Sequence, residues 1–293
     1  MTDSVSDLQM TPNAILSQHP IRQAKLDGDR VVAFREAGSA KKVTHVLLHG
    51  IGSASGSWMF QLQAAHMRSD VRLLAWDAPG YGQSTPLPSA HPDAGEYAQR
   101  LWDWLDALGA HEPVALVGHS LGAIMAARAT CMQPKRVRNL ALLSPARGYG
   151  STNAAERDGK LRDRLTQLKT LGPQGMALTR SVAMLSPRAS AGLIDAVRET
   201  MAGIDPAGYT QASWLLARSD LLADLEQVDC PVAVASGSAD LITPPQACRD
   251  VARQVGQDWQ DLGPVGHACP LEAPHAVNAL TGLAPQPSKE GAP

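Results

Sequence analysis

Residues 114–132 read VALVGHSLGAIMAARATCM, and the order of residue types in that stretch decides the fold. Val114 to Val117 form a continuous apolar run, the pattern of a strand covered on both faces as in a parallel sheet. Gly118-His119-Ser120-Leu121-Gly122 follows at once. The Ala-rich segment from Leu121 to Met132 then reads as a helix that stops before Pro134. A serine in so sharp a strand-to-helix turn needs small neighbours, because the backbone there is strained and crowded. Glycine at 118 and 122 meets that need. The turn lifts the hydroxyl clear of the sheet edge and sets it at a helix N-terminus, where the dipole favours developing negative charge.

The same alternation of strand and helix extends outward in both directions. Apolar runs at Val43–Leu48, Val71–Trp76, Leu140–Leu143 and Val232–Ala235 predict further buried strands, and a last strand-like segment lies around Trp259–Leu262. Asp27-Gly28 sits between QAKL and RVVAF and predicts a β-hairpin ahead of them. Helical spacing of Tyr97, Leu101, Leu105 and Leu108 predicts a helix capped by Gly109, and Pro245–Val255 predicts another before Gly256. This is the pattern of a doubly wound α/β sheet. It breaks between about Ala146 and Leu225, where only helix-like pieces occur, punctuated by Gly172-Pro173, Ser186-Pro187 and Asp205-Pro206. The expected organisation is a core domain over 21–145 and 226–284, a helical cap over 146–225, and flexible termini over 1–20 and 285–293.

A serine hydroxyl is a weak nucleophile until a base takes its proton. Of nine histidines, His267 is best placed, in the Gly-rich loop GPVGHACP after the last strand. His275 falls in an apparent helix after Pro274 and reads as a surface residue, and His119 in the turn reads as packing. The imidazole needs a carboxylate to fix its tautomer. Asp240 in SGSADLITPP lies just beyond the strand PVAVAS, where an open α/β sheet gathers its site residues. Asp77 precedes the serine in a Pro-Gly turn and reads as structural. His49-Gly50-Ile51-Gly52 follows a strand, and its amides can converge on the serine oxygen. The backbone N–H groups of Ile51 and Leu121 are the expected oxyanion donors, with Gly52 as the substitute for Ile51. His49, Gly52, Trp58 and Met184 are the expected pocket residues, and Glu272 is expected to cap the following helix.

HGIG (49–52), WDAPGYGQS (76–84), GHSLG (118–122), the stretch around Asp240 and GHACPLEAP (266–274) occur in that order. Together they make the chain resemble the α/β-hydrolase superfamily over Ile21 to Ala284. That resemblance implies an α/β-hydrolase fold, a mostly parallel central sheet flanked by helices, with a helical cap inserted after the sixth strand. It implies a Ser120–His267–Asp240 triad and no cofactor or metal. Within the superfamily the chain looks most similar to esterases and enol-lactonases of the 3-oxoadipate type, which implies an ester or lactone substrate. Carbon–carbon bond hydrolases carry a Gly-Pro-Gly-rich oxyanion loop and an aromatic residue after the histidine. This chain has HGIGSASGSW and Ala268.

Composition excludes several other classes. The 26 basic and 28 acidic residues leave a net charge of −2 with no basic cluster, which argues against a nucleic-acid surface or a polybasic membrane patch. No apolar run approaches the ~20 residues of a membrane span, and residues 1–20 lack the features of a signal peptide. The four scattered cysteines read as reduced thiols in a cytoplasmic protein. Two competing readings stay open: a carbon–carbon hydrolase or thioesterase of the same fold, and a catalytically silent ligand-binding or interaction protein. Oligomeric state is left open.

Overall fold

Side chains along the buried strands part alternately to the two faces of one sheet, and each face carries its own apolar core. The computed structural model describes residues 10–284. Eight strands appear among them: β1 (Arg22–Lys25), β2 (Val31–Ala37), β3 (His45–Leu48), β4 (Leu73–Trp76), β5 (Val114–His119), β6 (Val137–Leu143), β7 (Val232–Ser236) and β8 (Trp259–Asp261). They join in the order β1-β2-β4-β3-β5-β6-β7-β8, with β2 antiparallel to both neighbours and the remaining pairs parallel. The helices are α1 (Pro12–Gln18), α2 (Met59–Ala65), α3 (Ala94–Ala107), α4 (Leu121–Met132), α5 (Ala154–Arg180), α6 (Ala191–Ala202), α7 (Pro206–Arg218), α8 (Leu221–Leu225), α9 (Pro245–Gln254), α10 (Cys269–Glu272) and α11 (Pro274–Leu280). Val46, Leu48, Leu116 and Leu142 join the core that includes α3 and α4, while Leu47, Val117, Ala141 and Leu143 join the one that includes α2 and α11. Covering on both faces is why these strands read as unbroken apolar runs.

The expected hairpin forms with Lys25 opposite Val31, and Gly28 at its tip takes φ +70°. Between β6 and β7 the chain forms α5 to α8 and no strand. Asn153, Ser190 and Asp205 cap α5, α6 and α7 by accepting backbone N–H bonds in the first turn. Gly172, at φ 62° ahead of Pro173, breaks α5 into two limbs. α7 lies hard against the loop after β4: a Cβ on Gly208 would fall 1.9 Å from the Gly80 carbonyl oxygen.

One expectation about the termini is overturned within the described range. Residues 12–18 are not a loose lead-in but the helix α1. Thr11 caps it, Pro12 starts it, and Ile15 is buried beside Met59. A Thr-Pro start, with Ile15 buried and Leu16 packed beside it, suffices for so short a helix once a partner surface exists. The expectations for 1–9 and 285–293 lie outside the described residues.

His45 ties the start of β3 to the end of α11. Its Nε2 donates to the Thr281 carbonyl at 3.0 Å and its Nδ1 lies 2.8 Å from Thr44 Oγ1. Burial pushes its pKa from 6.5 down to about 4, although the bond to Thr281 works the other way. The fold therefore favours the neutral ring, and the unfolded chain binds the extra proton between those two values. Stability gained from this site is complete above about 6.5 and drains as pH falls toward about 4. His45→Gln is expected to shrink the loss of unfolding free energy between pH 7 and pH 4.5 by about 2 kcal/mol in urea titrations. An unchanged pH slope would refute that assignment.

Candidate active site

Ser120 stands alone between β5 and α4, at φ 54° and ψ −116°. A residue with a side chain holds such a conformation at a cost of about 1–3 kcal/mol, so its surroundings must impose it. The Ser120 N–H donates to the Leu143 carbonyl at 2.9 Å, and its carbonyl accepts from Ala123 and Ala146 at 3.0 and 3.1 Å. The flanking glycines are required by close approach. A Cβ on Gly118 would lie 2.4 Å from the Gly122 oxygen, and one on Gly122 would lie 2.1 Å from the Leu48 oxygen. Leu121 opens α4, so its N–H has no acceptor within the helix.

Asp240 and His267 come from neighbouring loops that are stitched together. Ala239 N–H donates to the Val265 carbonyl and Ser238 N–H to the Gly263 carbonyl. His267 Nδ1 then lies 2.9 Å from Asp240 Oδ2, both side chains fully buried. A carboxylate only accepts, so Nδ1 carries the proton and Nε2 is left with its lone pair. Asp240 Oδ1 accepts from the Ile242 and Thr243 N–H groups at 2.8 and 2.9 Å, and Thr243 Oγ1 lies 2.8 Å from Oδ2. Burial alone would raise the Asp240 pKa, but the His267 bond and charge and the Thr243 donors hold it down at about 2. Thr243 Oγ1 also reaches Ser144 O and His267 Nδ1, at 3.1 and 3.2 Å.

Ser120, His267, Ile51 and Leu121 line one cavity of about 410 Å³. Gly52 and Met184 line it too, as expected. The other two expected pocket residues do not. His49 is buried behind the loop, where Nε2 accepts from Ala78 N–H at 3.0 Å and Nδ1 donates to the Gly50 carbonyl at 2.8 Å. Trp58 is wholly buried in the core beneath the sheet, edge-on to His119 with ring centres 6.3 Å apart. Both are too firmly packed to face a ligand. His49 instead holds the shape of the 49–52 loop, which Tyr81 braces by donating its hydroxyl proton to the Ile51 carbonyl at 2.8 Å.

His119 does more than pack. Its Nε2 donates to the His267 carbonyl at 2.7 Å. Burial, aided by the charge of the neighbouring His267, drives its pKa down to about 3. His119 is thus a neutral, fixed donor that anchors the loop bearing His267. His275 is exposed on α11 and Asp77 accepts from Ser55 N–H at 2.7 Å, so neither competes for the site. Among the described residues no group of three or more His, Cys, Asp or Glu is placed to hold a metal ion, and no helix is long and apolar enough to cross a membrane.

Glu272 corrects another expectation. Its carboxylate does not cap α11 but accepts from Gly266 N–H at 2.8 Å and from Ser186 N–H and Oγ at 3.0 and 2.6 Å. Ala268 N–H donates to the Met184 carbonyl at 2.8 Å beside it. The segment 184–186 is thereby fastened to both flanks of His267. Ser186 lies 86 residues from Glu272, and nothing local in LEAP announces that partner.

Three comparisons place this geometry among known proteins. A family model described as "Alpha/beta hydrolase family" matches residues 46–280. An (E)-2-((N-methylformamido)methylene)succinate hydrolase of Acinetobacter baylyi is 25% identical over 74% of this chain and 79% of its own. The dihydrolipoyllysine-residue acetyltransferase component of the acetoin cleaving system of Cupriavidus necator is 35% identical over 43% of this chain, and the match spans only 32% of that protein. Among solved structures, a thermophilic esterase from Thermogutta terrifontis superimposes with a TM-score of 0.77 at 22% identity, over 89% of this chain and 96% of the other.

Glu272→Ala strips the acceptor from three donors at once. It is expected to cost about 1–3 kcal/mol per donor left buried without a partner, several kcal/mol at most. Thermal unfolding should show the midpoint falling by several degrees, with Glu272→Gln losing less. A midpoint within one degree of wild type would mean that the fastening contributes nothing.

Proposed function

The chain belongs to the α/β-hydrolase family, and within it we propose a serine hydrolase that cleaves a carboxylic ester or lactone of a small molecule through an acyl-Ser120 intermediate. The observation that carries this reading is the buried 2.9 Å pair between His267 and Asp240, which leaves His267 Nε2 as the free ring nitrogen on the cavity that Ser120 also lines. In this mechanism Ser120 Oγ attacks the substrate carbonyl carbon and its proton passes to His267 Nε2. Charge on the former carbonyl oxygen falls to the N–H groups of Ile51 and Leu121, each such donor being worth about 3–4 kcal/mol in the transition state. His267 returns the proton to the departing alkoxide as the C–O bond breaks, leaving the acyl-enzyme. A water then gives His267 a proton as it attacks the acyl carbon, and Ser120 leaves with that proton to release the carboxylic acid.

Asp240 does not take up the proton in this scheme. Held ionised at about pH 2 and above, it steadies the imidazolium and fixes its tautomer. The named activities of the Acinetobacter hydrolase and the Thermogutta esterase support a hydrolytic role. The four free thiols agree with a reducing, cytoplasmic setting.

Fluorophosphonate labelling beside turnover of a short p-nitrophenyl ester tests the proposal. Wild type is expected to label and turn over, and Ser120→Ala to do neither, with turnover lower by more than ~10⁴-fold. Asp240→Asn should keep the fold and lose on the order of 10⁴-fold in kcat, because the wrong tautomer is then favoured. Ester turnover that survives in Ser120→Ala would end the acyl-serine mechanism.

A further inference from the structure

The cap wall of the same cavity carries cationic groups that the chemistry at Ser120 does not use. Arg164 and Arg180, both on α5, line it, and both are half-buried. Some arginines elsewhere take carboxylate partners, as Arg72 does with Glu36 at 2.6 Å and Arg253 with Asp250 at 2.8 Å, and others bond only carbonyls, as Arg100 does with Thr85. Among the described residues neither Arg164 nor Arg180 forms an ion pair. Arg164 Nη1 donates only to the hydroxyl of Tyr209 at 3.2 Å, and Arg180 Nη1 only to the amide oxygen of Gln167 at 3.0 Å. Glu156 also lines the cavity but pairs with neither.

A half-buried guanidinium whose protein partners are all neutral still has donors and an uncompensated charge to offer an anion. Tyr209 is 1% exposed and its hydroxyl accepts from Arg164, and among the described residues that hydroxyl's own proton has no protein acceptor. Arg164 and Tyr209 thus offer donors side by side, a fork suited to the two oxygens of a carboxylate. The cavity volume of about 410 Å³ fits a small ligand.

We propose that the substrate carries a second, ionised carboxylate besides its scissile ester or lactone, and that Arg164 and Tyr209 bind it, with Arg180 adding long-range attraction. This deepens the serine-hydrolase reading and rests on it for the scissile bond, but the carboxylate site itself can be measured without turnover.

The test is calorimetric titration of the wild-type protein with monoamides of the C4 to C8 straight-chain dicarboxylic acids, each against its neutral diamide. At least one monoanion is expected to bind ten or more times tighter than its diamide, and that advantage should shrink as salt rises from 50 to 500 mM. Arg164→Met should bring the ratio close to one, and Tyr209→Phe should lower it several-fold. Equal binding of monoanion and diamide at every length, or no monoanion binding at all, would overturn the proposal. So would an Arg164→Met protein that keeps the full ratio. If Arg164→Met does not fold, Tyr209→Phe and the salt dependence decide the matter. Parallel fluorophosphonate labelling separates the two readings. A wild type that prefers the monoanion yet does not label loses the serine mechanism and keeps the anion site, and one that labels without any preference loses only the anion site.

Discussion

At the first turn of α4 the backbone of Gly122 meets the carbonyl of Leu48 so closely that a methyl group there would overlap it at 2.1 Å. That contact joins the helix after Ser120 to the strand that runs into His49–Gly52. Two features follow from it. Ser120 is forced through a left-handed turn, which its bonds to Leu143, Ala123 and Ala146 then hold. The 49–52 loop is set beside the serine, because Leu48 is the last residue of β3 and the loop leaves directly from it. Serine and loop amides are placed by one crowded backbone crossing, not by two independent accidents of packing. Rigid placement of this kind matters because donors aimed in advance need no rearrangement when charge develops.

The electrostatics around His267 follow the same economy. Three titratable groups lie buried within a few ångströms, and two of them are kept in one protonation state, each by a different cause. Asp240 stays charged because four donors surround its two oxygens. His119 stays neutral because it is buried beside another imidazole, and the neutral ring still has one N–H to give to the His267 carbonyl. In the proposed mechanism the third member, His267, is the one that exchanges a proton with the cavity. A buried cluster in which several members could change charge together would make a poor base, since every transfer would be shared.

Local features of the chain were legible without coordinates, and long-range ones were not. Val114–Gly122 could be read because strand, turn and helix each have a period or a steric rule that acts within a few residues. The pairing of Asp240 with His267 could be anticipated from their positions after strands, since an open α/β sheet brings such loops together. The misreadings share one cause. His49 and Trp58 have the residue types and positions of pocket residues, yet their partners, Ala78 and His119, are set by packing across the sheet. Glu272 stands where a helix cap should stand and instead bonds a segment 86 residues away. The helix α1 escaped notice because its one fully buried anchor, Ile15, has meaning only against the cluster around Met59. The unpaired state of Arg164 could not be inferred either, because acidic residues abound near it in sequence and only the fold decides which of them it reaches.

The fastening of residues 184–186 to residues 266–268 bears on how the helices between β6 and β7 relate to the chemistry beneath them. A Cβ on Gly266 would collide with the backbone of Leu185 at 2.6 Å, so the two segments touch main chain to main chain. Glu272 bonds to one side of that seam at Ser186 and to the other at Gly266. Any outward movement of residues 184–186 would have to break those bonds and release the loop that carries His267. Opening there would displace the proposed base along with the cavity wall. The other contacts of these helices, where α7 abuts Gly80 through Gly208 and Arg164 meets Tyr209, lie apart from that seam. The segment around Met184 is thus tied mechanically to the loop that carries His267, and the part built on α7 is not tied to that seam.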